Sequence, residues 1–120
     1  METTNAVDKL AALAQETRLR VFRQLVTAGP AGMNAGAIAE VLALAPATLS
    51  FHIAHLVRAG LVSARQESRF IYYAASFAAM DDLIAFLTDN CCQGGSACLP
   101  KTAAVATTRR RAKLGKEKTA

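Results

Sequence analysis

Four successive segments of the chain repeat apolar residues at a helical period. "NAVDKLAALA" (5–14) places Val7, Leu10, Leu13 and Ala14 at helical spacing, and "ETRLRVFRQLVTAG" (16–29) does the same with Leu19, Phe22, Leu25 and Val26. Gly29-Pro30 stops the second helix, since proline cannot continue one. Asn34 stands where its side chain can cap a third helix through Leu42, with Ile38, Val41 and Leu42 directed inward. Pro46 suits the first position of a fourth helix, where a missing N–H is tolerated, and Gly60 closes it. The pattern then changes. "LVSARQ" (61–66) and "RFIYYA" (69–74) read as strands, and Glu67-Ser68 between them makes a hairpin. A last helix starts from a Ser76 cap, carries Phe77, Met80, Leu83, Ile84 and Leu87 at spacings of three and four, and ends near Asn90.

This order, α-α-α-α-β-β-α, predicts a mainly α fold with a β-hairpin wing: a winged helix–turn–helix. It also divides the chain. Residues 1–90 hold all of these elements as one domain, 91–98 form a cysteine segment, and 99–120 a basic tail. There is no internal repeat.

The fourth helix carries the candidate chemistry. With Leu49 as origin and about 100° per residue, Leu49, Ile53, Leu56 and Val57 fall on the core side. Ala47, Thr48, Phe51, Ala54, His55 and Arg58 fall opposite, and Ser50 and His52 take the flanks. Small residues let a helix sit deep in the major groove, and hydroxyl and imidazole groups meet base edges or phosphates there. Phe51 either rests on a thymine methyl or packs beneath the wing. His52 and His55, three apart, have metal-ligand spacing but no third ligand nearby. Arg65 and Arg69 flank the hairpin tip, within reach of phosphate or minor groove, or simply solvated.

Charge adds a second picture. The chain carries +5 overall, yet residues 101–120 hold seven Lys and Arg against Glu117 alone, so the body is close to neutral. The tail lacks aromatics and apolar periodicity, which predicts disorder and at most weak phosphate binding. No signal-peptide pattern and no membrane-length apolar run is present, so a cytoplasmic location is expected. All three cysteines lie in "NCCQGGSAC" (90–98). An odd number with two neighbours is a poor disulfide framework, and in a reducing compartment clustered thiols point to metal or redox chemistry.

Three motifs then carry a resemblance. "ALAQETRLRVFRQL" (12–25) is similar to the "ALADPTRLRILRLL" opening of the ArsR/SmtB repressors, and "LSFHIAHLVRAGLV" (49–62) resembles their recognition helix, "vSxHLxxLxxAGLV". "RQESRFIYY" (65–73) resembles their wing, with Ser68 where glycine is usual, so Ser68 is expected at positive φ. The resemblance spans about residues 6–90. It implies a homodimer paired through the first and last helices, which binds operator DNA and releases it when an effector binds. The apolar faces of those two helices, larger than so small a body can bury, point the same way.

The family's usual effector residues are absent. "NAGAIAEVLAL" (34–44) lacks the cysteines of the "ELCVCDL" arsenic motif, and the last helix offers Asp81 and Asp82 but no histidine. Cys91, Cys92 and Cys98 remain. Three thiolates match the pyramidal bonding of trivalent arsenic or antimony, and Gly94-Gly95 would let the segment fold back on one centre. Some arsenic-responsive family members carry cysteines after the last helix, and this stretch looks like theirs. The expected effector is therefore As(III), with Sb(III) or trivalent methylated arsenic as further candidates, and no resident cofactor is required. The alternatives are a redox or persulfide sensor using the same thiols, and an exposed cluster without function. A thiol enzyme is not expected, because no phosphate-cradling loop surrounds Cys91.

Overall fold

The computed structural model describes residues 1–91. The elements are α1 (Thr3–Leu13), α2 (Glu16–Ala28), β1 (Met33–Asn34), α3 (Ala35–Leu42), α4 (Pro46–Arg58), β2 (Val62–Glu67), β3 (Phe70–Ala75) and α5 (Phe77–Leu87). Met1–Leu83 pack as one unit, and the chain from Ile84 belongs to a second. Apart from the short β1, this is the predicted winged helix–turn–helix order.

Side chains start most of the helices. Asn34 Oδ1 accepts from the Ala37 N–H at 2.8 Å and Ser76 Oγ from the Ala79 N–H at 3.2 Å, both as predicted. Gln15, not anticipated, caps α2 by accepting from the Arg18 N–H at 2.9 Å. Between α3 and α4, Ala43 takes a left-handed conformation (φ 56°) and the Leu44 N–H donates to Ala39 O at 2.9 Å. The two helices therefore turn by 111°, within the range of a helix–turn–helix. No single helix among the described residues is long and apolar enough to cross a membrane.

Val21, Leu25, Ile38, Leu49, Leu56 and Leu61 are the largest fully buried side chains. Three residues expected inside are exposed: Leu19, Val41 and Val57. Each lies off the centre of its helix's buried stripe. At about 100° per residue, Leu19 sits roughly 110° from the centre of Val21, Phe22 and Leu25. Val41 is about as far from the Ile38–Ala39 side of α3, and Val57 lies about 80° from Leu49. On α1 the buried residues are Ala6 and Ala12, while Val7 and Leu10 face out. That apolar face is not used within the unit.

The sheet has three strands in the order β1-β3-β2, all antiparallel. Met33 and Asn34 pair with Tyr73 and Tyr72. Gly32 enters this pairing at φ +76°, and a Cβ there would lie 2.2 Å from Tyr73 O. In the wing, Val62 pairs with Ala75 and Glu67 with Phe70, which leaves Ser68-Arg69 as the two-residue loop. The predicted loop, Glu67-Ser68, is thus one residue early. Ser68 has φ 60°, as its place in the resemblance required.

In the second unit the end of α5 is closed by Thr88, whose Oγ1 donates to Ile84 O at 2.9 Å. Asn90 is left-handed (φ 58°), and the half-buried Cys91 donates its N–H to Thr88 O at 3.0 Å. Cys92, Cys98 and the tail 99–120 lie outside the described residues.

Candidate nucleic-acid interface

The helix α4 is anchored by one stripe and presents the other. Leu49, Ile53 and Leu56 are buried, which fixes its rotation about its own axis. Thr48, Ser50, Phe51 and Arg58 are consequently exposed, and His52 and His55 are half-buried. Pro46 opens the helix, and Ala45 offers no side-chain acceptor to the first-turn N–H groups. Their partial positive charge adds to whatever the side chains attract.

Phe51 is 61% exposed, so it does not pack beneath the wing. It stands instead between two imidazoles. Its ring meets His52 edge-on at 5.1 Å between centroids and His55 at 5.3 Å, the spacing of favourable aromatic pairs. Three rings on neighbouring turns thus form one outward ridge with an apolar centre and polar edges.

Arg18 lies behind this ridge. Its Nε donates to Ala12 O at 2.7 Å and its Nη1 to His52 Nδ1 at 3.3 Å. One side chain therefore joins the last turn of α1, the first turn of α2 and the middle of α4. The sequence reading missed it as a site residue. A signal was there: a cation in the first turn of a helix opposes the helix dipole, which calls for a tertiary partner. An open cleft of about 340 Å³ adjoins it, lined by Asp8, Ala12, Arg18, His55, Arg58 and Ala59. Partial loss of water around the ring, then the charges of Arg18, Arg58 and His52, hold the His55 pKa below its ordinary value. At neutral pH that ring is uncharged, with one nitrogen donating and the other accepting.

The wing presents its arginines differently. Arg65 is committed to Glu67, with Nε to Oε2 at 2.7 Å, and its guanidinium lies 5.0 Å from the centre of the Tyr72 ring. Arg69, in the loop, is exposed and has no such partner among the described residues. Arg69 is the freer of the two for phosphate.

No metal centre forms among the described residues, where no three of His, Cys, Asp and Glu come together. Of the three thiols only Cys91 lies among the described residues.

Comparison with known proteins follows the same residues. A helix-turn-helix domain model matches residues 13–64. The transcriptional activator HlyU of Vibrio cholerae N16961 is 32% identical over 91 residues, covering 76% of this chain and 82% of that protein. A solved structure of reduced HlyU from the same organism is 31% identical, covers 76% of this chain and 93% of its own, and superposes with a TM-score of 0.57. An ArsR-like transcriptional regulator from Rhodococcus sp. RHA1 shares the fold at TM-score 0.67 and 23% identity, over 91% and 93% of the two chains. A solved structure of a possible transcriptional regulator for arsenical resistance is 25% identical, with a TM-score of 0.59 over 84% of this chain and 95% of that one. The chain belongs to the family of winged helix–turn–helix transcriptional regulators that includes HlyU.

Proposed function

We propose that the chain is a homodimeric repressor that holds operator DNA with α4 and the wing and releases it on binding trivalent arsenic. The observation that carries the DNA reading is the ridge on α4: Phe51 exposed between His52 and His55, with Thr48 and Ser50 beside it. Arg58, Arg65 and Arg69 add backbone attraction around it. The outward Val7 and Leu10 of α1 support pairing of two copies, because an isolated monomer gains nothing by exposing them. A two-fold dimer then matches half-sites about one helical turn, roughly 34 Å, apart. A cytoplasmic location accompanies this reading.

The effector reading rests on chemistry and position. Cys91, Cys92 and Cys98 supply three soft donors, and Cys91 follows directly on the turn that closes α5. Ligation of As(III), Sb(III) or a trivalent methylated arsenical would tie that segment together beside a helix implied in dimer pairing. A coupling of about 1–3 kcal/mol lowers operator occupancy severalfold to about a hundredfold. The likeness to a possible transcriptional regulator for arsenical resistance supports this reading.

A redox reading has its own support, since HlyU has been solved in a form named as reduced. Two of the thiols would then form a disulfide, their two electrons reducing a peroxide to water, or one would take the outer sulfur of a persulfide donor, which departs as its thiol. One experiment separates the two. Protein bound to a fluorescent operator is titrated with arsenite under reductant, and separately with mild peroxide. Release by arsenite that disappears in the Cys91, Cys92 and Cys98 to Ser triple variant supports the arsenic site. Release only by peroxide gives the redox sensor, and release of the triple variant by arsenite places the site elsewhere.

A further inference from the structure

We infer that Arg18 is a positioning residue that holds His52 as its Nε2–H tautomer, so that α4 offers DNA a donor from this ring. The inference rests on the reading of α4 as the DNA helix. A guanidinium has five N–H donors and no acceptor, and it stays protonated. His52 Nδ1, 3.3 Å from Arg18 Nη1, must therefore be the accepting nitrogen. A neutral imidazole carries one proton, so that proton sits on Nε2, on the other side of the ring.

Arg18 is well placed to impose this. Its Nε is already bonded to Ala12 O at 2.7 Å and its backbone N–H to Gln15 Oε1 at 2.9 Å, which fixes the stem and the plane of the fork. Phe51 adds a second contact to the imidazole, edge-on at 5.1 Å between centroids. With tautomer and orientation both set, His52 discriminates. In the major groove, guanine N7 and O6, adenine N7 and thymine O4 accept hydrogen bonds, whereas cytosine offers only its amino donor. The base facing His52 is thus expected not to be cytosine. His55 lacks this direct bond, so its two nitrogens keep the freedom to exchange roles.

The test has two arms on the full chain. Long-range proton–nitrogen NMR spectra of the free, nitrogen-labelled protein above about pH 7.5, where an ordinary imidazole is neutral, report the tautomer directly. His52→Gln identifies the signal. Wild type should show His52 protonated on Nε2, and Arg18→Met should give a mixture. In the second arm, Arg18→Met should weaken operator binding by about three- to tenfold, the worth of one hydrogen bond. In a His52→Ala background, the same change should cost less than about twofold. Arg18→Lys, which keeps the charge but cannot reach both acceptors, replaces Arg18→Met if the latter does not fold. A proton on Nδ1 in wild type, or spectra unmoved by either substitution, overturns the proposal. So does an unchanged penalty in the His52→Ala background, which would mean that Arg18 meets phosphate itself. If the spectra behave as expected while His52→Ala binds operator normally, the tautomer is right and the DNA half of the proposal falls.

Discussion

Replacing Gly32 with alanine should destabilise the fold, while the same change at Gly36, four residues on, should not. The new Cβ at position 32 would lie 2.2 Å from Tyr73 O and 2.9 Å from Tyr73 C. These are backbone atoms, so no rotamer change relieves the collision. The residue also sits at φ +76°, where an L side chain costs about 1–2 kcal/mol. Escape means drawing β1 away from β3, which gives up the Met33–Tyr73 and Asn34–Tyr72 pairing. One or two lost hydrogen bonds add about 1–2 kcal/mol, for a total of about 2–4 kcal/mol. Asn34 is also the cap of α3, so the first helix of the DNA-binding motif should loosen with it. At Gly36, by contrast, the nearest atom to an added Cβ is Asn34 Oδ1 at 3.4 Å, an ordinary contact within a helix. Alanine there should be neutral or stabilise by up to about 1 kcal/mol. Urea unfolding followed by circular dichroism, at one fixed protein concentration, measures both. Equal effects of the two substitutions would refute the described approach of Gly32 to β3.

Three further outcomes follow from the two faces of α4. Leu56→Ala, at a fully buried site, should cost about 2–5 kcal/mol in urea unfolding. Phe51→Ala should cost about 1–2 kcal/mol in the same assay, from its two edge-on ring pairs alone, yet weaken operator binding in an anisotropy titration. His55 has a folded-state pKa below the ordinary imidazole value of 6.5. Above that value both states are neutral and the group contributes nothing; as pH falls below it the unfolded chain takes a proton first, and stability declines until the folded pKa is passed. His55→Gln should therefore shrink the loss of stability between about pH 7.5 and pH 5.5, and an unchanged pH profile would argue against the partly dehydrated, positively charged surroundings described for this ring.

The long-period features of the fold were legible because they repeat. Helix starts at Asn34 and Ser76, the proline at the head of α4 and the wing all have local chemistry that stands in the sequence. The rotation of each helix was less so. Leu19, Val41 and Val57 are as apolar as their buried neighbours, and only packing decides which of them the core can reach. β1 is too short to show alternation and exists because Gly32 lets the chain approach β3. Ala43 turns left-handed without the glycine that would announce it. Within the candidate interface, Ala47, Thr48, Phe51 and Arg58 of the outward set on α4 are exposed, whereas Ala54 and His55 are half-buried; the set itself came from periodicity. Arg18 did not, because its role depends on contacts 6 and 34 residues away along the chain. The wing loop was misplaced by one residue, since strand register depends on pairing that no single strand encodes.

The central claim is that the outward face of α4 reads DNA. Its most direct test is the affinity of wild type, Ser50→Ala and His55→Ala for an operator selected from random duplexes, beside a scrambled duplex of the same length. Both side chains lie off the buried stripe of the helix, so at pH 7.5 the variants should stay within about 1 kcal/mol of wild type in unfolding, His55→Ala losing one ring pair with Phe51. Each should bind the selected operator more weakly by roughly 1–3 kcal/mol while binding the scrambled duplex almost unchanged. Variants that protect the same operator with wild-type affinity would contradict the assignment of α4 as the recognition helix.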